Sequence, residues 1–193
     1  APNASDQLLR YLLAKGFAVS DIEKAGLVFR TERGTYWDRF RGRLMFPLYN
    51  SFGKAIGFTG RVMPDAAHPE LVEGLAKYVN SPETPIFNKS KTLYGLHKSK
   101  GVIRDLQFAL LVEGQMDFLM TYQSGVKNVV ATSGTALTSE HLKTIRRLTD
   151  KVVLSFDNDE AGQNAIERTI DLALAYDFSV KILSLPAKDP AEI

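Results

Sequence analysis

Four carboxylates in the second half of this 193-residue sequence have the type and spacing for metal chemistry. Glu113 and Asp117 follow one apolar run, and Asp157 and Asp159 follow another. If each run is a β-strand, Glu113 lies at a strand end and Asp117 returns to the same side in the first helical turn. Asp157 and Asp159 then point one way, because side chains alternate along a strand. We expect Glu113, Asp157 and Asp159 to converge if the two strands are neighbours.

Clustered carboxylates repel one another unless a cation keeps them ionised, and a hard divalent ion with oxygen ligands meets that need. Mg²⁺ or Mn²⁺ bound in this way can bridge phosphate oxygens and offset charge in phosphoryl transfer. The alternative is that these residues only cap helices, where Asp and Glu are common. The pairing of two acidic groups at matched strand ends favours a metal site.

Strands and helices alternate from residue 101 onward, and this pattern must position the acids. Near-continuous apolar strands separated by helices predict a parallel sheet covered on both faces, with chemistry beyond the carboxyl ends of its strands. The predicted elements, in chain order, are strand 108–112, helix 116–124, strand 128–131, helix 139–148, strand 152–156, helix 160–176 and strand 179–183.

The first hundred residues have a different pattern. Two short helices, capped by Ser5 and Ser20, precede short strands that include a hairpin, with strands 43–49 and 55–61 joined by a turn at 50–54. We therefore predict an α/β protein in which an α+β N-terminal subdomain, residues 1–100, is followed by a Rossmann-like parallel sheet flanked by helices, residues 101–193.

Positive charge is concentrated between residues 30 and 61. Seven Arg and Lys residues against two acids give this segment a net charge of +5, whereas the whole chain carries +2. Aromatic residues are interleaved there, and such a surface could hold a single-stranded nucleic acid by phosphate contacts and base stacking. The alternatives are that most of the aromatic residues pack in a core and that the arginines form a solvated face.

The small-residue segment 131–138 also follows a predicted strand. Its backbone N–H groups and hydroxyls could cradle a phosphate, but an ordinary turn explains the composition equally well. Both interpretations stay open at this point.

Composition excludes several classes of protein. The chain has no cysteine and three histidines, so it has no disulfide framework and does not fit a structural zinc site. No apolar run approaches the roughly 18 to 20 residues of a membrane span, and no secretory signal begins the sequence. We expect a cytoplasmic protein without a membrane partner. The start without Met and the end at 189–193 suggest a piece of a longer chain.

The acidic motifs resemble the metal signature of the TOPRIM fold, which primases, topoisomerases and some nucleases share. Three further stretches are similar to bacterial DnaG-type primases: 38–47 (DRFRGRLMFP), 57–61 (GFTGR), and 77–87 (KYVNSPETPIF) followed by 93–96 (LYGL). This resemblance covers nearly the whole chain. It implies a DNA primase catalytic core that synthesises RNA primers from NTPs on single-stranded DNA by metal-dependent nucleotidyl transfer.

The resemblance also assigns roles by position. It implies that Glu113, Asp157 and Asp159 are catalytic and bind Mg²⁺ or Mn²⁺, that Asp117 supports them, and that Asp189 begins a late acidic motif. It implies contacts with template DNA or incoming nucleotide for seven residues: Arg39, Arg41, Arg61, Lys77, Tyr78, Asn80 and Lys89.

Two departures from the family pattern affect these roles. Ala191 stands where a second late acid is usual, and the segment Pro64–Ala76 is longer than expected. The implied partners are the DNA template, NTPs, the RNA primer and, through a C-terminal module that this sequence does not include, the replicative helicase. The implied location is the bacterial cytoplasm at the replication fork. A TOPRIM nuclease and a binding module without catalysis are the rival hypotheses.

Overall fold

The computed structural model describes residues 1–63, 76–156 and 160–183, with side chains described from residue 165 in the last range. The predicted acids Asp157, Asp159 and Asp189 lie outside these ranges, as do Ala191 and all of the segment Pro64–Ala76 except its last residue. The described chain divides into two compact units. Unit 1 contains residues 1–48 and 55–88, and unit 2 contains residues 49–54 and the described residues from 89 onward.

Unit 1 is built from two short helices and short antiparallel strands. Strand β1 pairs with β2, and β4 lies between β3 and β5 in a second sheet. The predicted hairpin of β3 and β4 is present. The elements are α1 (Gln7–Ala14), α2 (Val19–Lys24), β1 (Val28–Arg30), β2 (Tyr36–Asp38), β3 (Arg43–Tyr49), β4 (Ala55–Val62) and β5 (Tyr78–Asn80).

The two predicted helix caps are wrong. Asp6 occupies the N-cap position of α1 without a side-chain cap bond, and Ser20 lies inside α2, whose N-cap is Ala18. The N-terminal amides of α1 are bound by a residue of β2 instead, because the backbone N–H groups of Leu8 and Leu9 donate to the Asp38 carboxylate at 2.7 and 3.0 Å. Asp38 is 3% exposed. A residue thirty positions away therefore performs the capping.

Arg43 is buried and holds backbone together in unit 1. Its Nη1 donates to the carbonyls of Gly60, Ala76 and Lys77 at 3.2, 2.8 and 3.4 Å. Burial lowers the pKa of its guanidinium, and the neighbouring Arg41 adds to this effect. This arginine, which the charge count assigned to the basic surface, therefore has a structural position.

Unit 2 contains the predicted parallel sheet, with strand order β7-β6-β8-β9. The register aligns Leu111 with Val130 on one side and with Leu154 on the other. Buried side chains cover both faces, with Leu111 in one cluster and Leu110 and Val112 in the other, which confirms the predicted α/β fold. The elements are α3 (Leu96–Leu106), β6 (Ala109–Val112), α4 (Gln115–Gln123), β7 (Val129–Ala131), α5 (Ser139–Arg146), β8 (Lys151–Leu154), α6 (Glu160–Leu174) and β9 (Ser179–Ile182).

Helix α3 was not predicted, and it runs across the boundary that the sequence placed after residue 100. Gly95 forms its N-cap with φ +80°, and a Cβ at this position would lie 2.0 Å from the Phe118 ring. Only glycine therefore fits here. Among the described helices, not one combines the length and the apolar composition that a membrane span requires.

Candidate active site

Three parallel strands of unit 2 end at one edge of the sheet, and a cavity of about 380 Å³ lies there. Glu113 directly follows β6, Thr132 directly follows β7, and Phe156 comes two residues after β8. Helix α6 supplies the far wall. The lining residues are Glu113, Thr132, Gly134, Thr135, Ala136, Leu137, Phe156, Ala165, Arg168 and Thr169. This is the edge at which open α/β sheets bind ligands.

Glu113 lies in this cavity because the strand pairing continues past the end of β6. The Ser133 N–H donates to the Glu113 carbonyl at 2.9 Å, and the Ser155 N–H donates to the Leu111 carbonyl at the same distance. Backbone bonds from both neighbouring strands therefore hold this strand end. Strands β6 and β8 are adjacent, as the convergence of the three acids requires, but Asp157 and Asp159 lie outside the described residues, so the convergence stays a prediction.

Asp117 takes part in helix capping. Its Oδ2 accepts a hydrogen bond from the Gly114 N–H at 2.8 Å at the start of α4. This is the alternative that the acidic pattern left open, and it orients the backbone directly after Glu113. Support of a metal by Asp117 remains a proposal.

The loop after β7 lines the cavity, but part of its polar backbone has partners within the fold. The N–H groups of Thr132 and Ser133 donate to carbonyls of Val112 and Glu113, and the Thr135 hydroxyl donates to the Thr132 carbonyl at 3.1 Å. The loop is therefore a structured turn. A phosphate cradle made by its later residues stays a prediction.

Sequence reasoning missed Arg168, which contributes a cation to the wall of the same cavity. A signal was available, since Ala165, Arg168 and Thr169 are spaced to share one face of α6. Thr169 is 4% exposed, and Ala165 packs against the core cluster below. A cationic side chain in the same cavity as Glu113 suits a site for a polyphosphate bound with a divalent cation.

Lys89, one of the seven residues assigned to DNA or nucleotide, lies in a short 3₁₀ helix, Lys89–Lys91, whose backbone is bound to the start of α5. His141 Nε2 lies 3.0 Å from the Lys89 carbonyl, and the Thr138 hydroxyl donates to the Ser90 carbonyl at 2.6 Å. The Thr138 N–H donates to His141 Nδ1 at 3.3 Å. His141 therefore accepts through Nδ1 and donates through Nε2, which requires the neutral imidazole.

We expect His141 to make stability depend on pH. It is fully buried, and this burial lowers its pKa below the ordinary value of 6.5. The unfolded chain then binds more protons than the folded chain as pH falls below about 6.5, so the free energy of unfolding should decrease there and stay constant above. Urea unfolding between pH 5 and 8 measures this. The His141→Gln variant should have a lower free energy of unfolding, and this free energy should depend less on pH than that of the wild type. Equal pH dependence in the two proteins would contradict this explanation.

In unit 1, Arg39 and Arg41 are partly buried and rest on aromatic rings. The guanidinium carbon of Arg41 lies 4.8 Å from the Trp37 ring centroid, and that of Arg39 lies 5.7 Å from Phe29. Backbone carbonyls of Asp38 and Gly26 accept hydrogen bonds from them. Trp37 is 42% exposed. The structure therefore brings together cations and an exposed aromatic face, which suits bases and phosphates.

Arg61, Lys77, Tyr78 and Asn80 form a second group on the paired strands β4 and β5. Arg61 is opposite Tyr78, with 5.7 Å between its guanidinium and the ring centroid. The Asn80 Oδ1 accepts a hydrogen bond from the buried Thr59 hydroxyl, and the Lys77 carbonyl accepts from the Val62 N–H at 2.9 Å. Of these four residues, only Lys77 is exposed; the others are partly buried.

The cavity of unit 2 offers oxygen donors, namely the Glu113 carboxylate and the Thr132 and Thr135 hydroxyls, and this donor set suits a hard divalent cation. Within residues 1–63, 76–156 and 160–183 no three His, Asp or Glu residues cluster as metal ligands. Two of the three predicted acids are not among those residues. The TOPRIM primase family is metal-dependent.

Known proteins resemble this chain over its whole length. The family model described as "DNA primase catalytic core, N-terminal domain" matches residues 1–100, and the model described as "Toprim-like" matches residues 110–193. A DNA primase of Staphylococcus aureus (strain COL) is 42% identical over 194 residues, which cover 100% of this chain and 31% of that protein. This chain therefore spans about a third of such relatives.

Solved structures give the same result. The Aquifex aeolicus primase, with its zinc-binding and RNA polymerase domains, superposes with a TM-score of 0.87 at 32% identity, covering 99% of this chain and 46% of that one. A DnaG primase catalytic domain bound to single-stranded DNA gives 0.83 at 32% identity, covering 100% and 59%. The resemblance inferred from the motifs is confirmed: the chain belongs to the family of the DNA primase catalytic core and includes its Toprim region.

Proposed function

We propose that this chain is the part of a primase that joins NTPs into short RNA primers on a single-stranded DNA template. The observation that supports this most directly is the position of Glu113, which lines a cavity at the carboxyl edge of a parallel sheet together with hydroxyls and Arg168. The sequence places Asp157 and Asp159 just after the neighbouring strand. Membership of the family and a relative bound to single-stranded DNA favour the same function.

In this proposal Glu113, Asp157 and Asp159 hold Mg²⁺ or Mn²⁺, with support from Asp117 and Asp189. The metal would offset phosphate charge and lower the pKa of the primer 3′-hydroxyl. This hydroxyl attacks the α-phosphorus of the NTP, and pyrophosphate leaves. The carboxylates would position the metal, and Arg168, which lines the same cavity as Glu113, would add positive charge for the triphosphate. Backbone bonds at the ends of β6 and β7 keep Glu113 in place, so little reorganisation is needed during the reaction.

The two groups of unit 1 hold the template or the incoming nucleotide, and the family pattern assigns Lys89 of unit 2 a contact of the same kind. Stacked guanidinium groups are already oriented, which reduces the loss of side-chain entropy when phosphates bind. We also propose that the replicative helicase is a partner of the whole primase. The two proteins would act together at the replication fork, in the bacterial cytoplasm.

A primer-synthesis assay tests the proposal directly. The protein is incubated with single-stranded DNA, Mg²⁺ or Mn²⁺ and NTPs, with the label on the NTPs in one reaction and on the DNA in a parallel one, and the products are separated by length. A primase produces NTP-dependent RNA products of defined short length. Shortened DNA without RNA products would indicate a nuclease, and DNA binding without any product would indicate a binding module; either result would refute the proposal.

Salt dependence tests the role of the basic residues. Log K for binding of single-stranded DNA falls linearly with log[salt], and each phosphate contact contributes about 0.7 to the steepness of that line. We therefore expect the line for Arg61→Ala to be less steep by about 0.7. Fluorescence anisotropy at several salt concentrations gives the slope. Lys24→Ala on α2 removes the same charge elsewhere in unit 1. If this control reduces the salt slope as much as Arg61→Ala does, Arg61 makes no specific phosphate contact.

A further inference from the structure

The turn between β3 and β4 exposes a large aromatic side chain. Phe52 is 84% exposed. It belongs to the segment 49–54, which packs within unit 2 and lies outside the seven residues assigned to nucleic acid. Among the large apolar side chains of the described residues, it is the most exposed.

Hydrogen bonds define the turn that carries Phe52. The Asn50 side chain accepts hydrogen bonds from the N–H groups of Phe52 and Lys54, both at 3.0 Å. Gly53 has φ +79°, a conformation that favours glycine, and its N–H donates to the Asn50 carbonyl at 2.9 Å. The ring is therefore presented on an ordered backbone, which lowers the entropy cost of binding.

One cation lies beside this ring. Lys100 Nζ donates to the Ser51 carbonyl at 2.7 Å and lies 6.0 Å from the Phe52 ring centroid. The turn 49–54 and helix α3 together contain four cations, Lys54, Lys98, Lys100 and Arg104, against one carboxylate, Asp105.

The cations act on a neighbouring group that packs against the same turn. His97 is in ring contact with Tyr49, with centroids 4.5 Å apart. Burial first, and then the charges of Lys98 and Lys100, lower the pKa of His97. The turn and α3 therefore share a positive potential around one exposed ring.

We propose that Phe52, with Lys54, Lys98 and Lys100, is an additional contact for single-stranded nucleic acid, in which one unpaired base stacks on Phe52 and the flanking phosphates bind the lysines. A single strand supplies both chemistries within one nucleotide, whereas an acidic peptide would use the lysines and leave the ring exposed. In a duplex the base faces are already stacked, so the contact selects single strands. This inference rests on the proposed function for the presence of such a strand.

Anisotropy titrations with labelled oligothymidylate of about 12 nucleotides, within the site sizes of single-strand-binding folds, test the contact. We expect Phe52→Ala to weaken binding about 5- to 150-fold, which is the range for loss of one stacked base, with little effect on duplex DNA. Phe52→Tyr should bind nearly as well as wild type. Phe17→Ala is the matched control, because Phe17 is 56% exposed in unit 1, and it should bind like wild type.

A set of oligonucleotides, each lacking one base at a different position, allows a double-mutant cycle. The two changes in the cycle are loss of that base and Phe52→Ala. If a base stacks on Phe52, at least one abasic position should weaken binding to wild type and leave binding to Phe52→Ala unchanged. Equal affinity of Phe52→Ala and Phe17→Ala, or competition by polyglutamate that depends on Phe52, would overturn the inference. Failure of the wild type to bind single-stranded DNA, or to synthesise RNA on it, would instead refute the proposed function. The two failures are therefore distinguishable.

Discussion

Replacing Glu113 with Gln should reduce primer synthesis by at least about 100-fold. A metal that stabilises phosphoryl-transfer charge contributes several kcal/mol, and each 1.4 kcal/mol corresponds to about a tenfold change in rate. Gln keeps the size of the side chain but removes the negative charge that attracts the cation. Primer yield under single-turnover conditions measures the effect, and Mn²⁺ titration should show weaker metal binding by the variant.

The control for this prediction is Glu140→Gln, which makes the same chemical change on the exposed surface of α5. Glu140 forms an ion pair with Lys143 at 2.7 Å, and the side chains of Lys143 and Glu140 are 54% and 40% exposed. Such pairs contribute little to stability or chemistry, so this variant should synthesise primers normally. DNA binding should be retained by both variants. Normal synthesis by Glu113→Gln would show that this carboxylate does not hold the catalytic metal.

The strands of unit 2 could be predicted from the sequence because they are buried on both faces. Runs such as 108–112 contain only apolar side chains, and few structures other than a covered parallel sheet bury such runs between helices. This pattern also located the carboxyl edge, and so the place of Glu113. It did not locate Arg168, because the spacing that puts Arg168 on one face of α6 with Ala165 and Thr169 does not show what that face meets.

Helix α3 was missed because its local signal is weak. Lys98, Lys100 and Gly101 interrupt the apolar pattern, and Ser99 occupies a buried position where the pattern expects an apolar residue. Glycine within a helix lowers intrinsic helix propensity. Tertiary packing of Leu96 and Ile103 against the core stabilises the helix, and a single sequence does not show this packing.

Charge counting treated all arginines of the basic segment alike, although their environments differ. Arg43 is buried against three carbonyls, whereas Arg41 stacks on the exposed Trp37 ring. The charge available to a nucleic acid is therefore smaller than the count of +5.

The N-terminal cap of α1 could not be predicted from local sequence either, because the capping residue comes from another element.

The distant cap of α1 leads to the second large effect. We expect Asp38→Ala to lower the free energy of unfolding by about 2–3 kcal/mol, because hydrogen bonds to a charged group contribute about 1.5–3 kcal/mol and two helix amides would lose their buried partner. Asp38→Asn keeps one oxygen acceptor and should lose less. Urea unfolding at neutral pH measures both values.

Asp6→Ala is the matched control for this cap. Asp6 occupies the N-cap position that local rules favour, but its partly exposed carboxylate pairs with Arg10 and makes no cap bond. We therefore expect its removal to change stability far less than removal of Asp38. A loss from Asp6→Ala equal to that from Asp38→Ala would mean that the local position matters more than the buried carboxylate. Because Arg39 and Arg41 directly follow β2, weakening of this cap should also reduce affinity for single-stranded DNA under conditions where the variant is still folded.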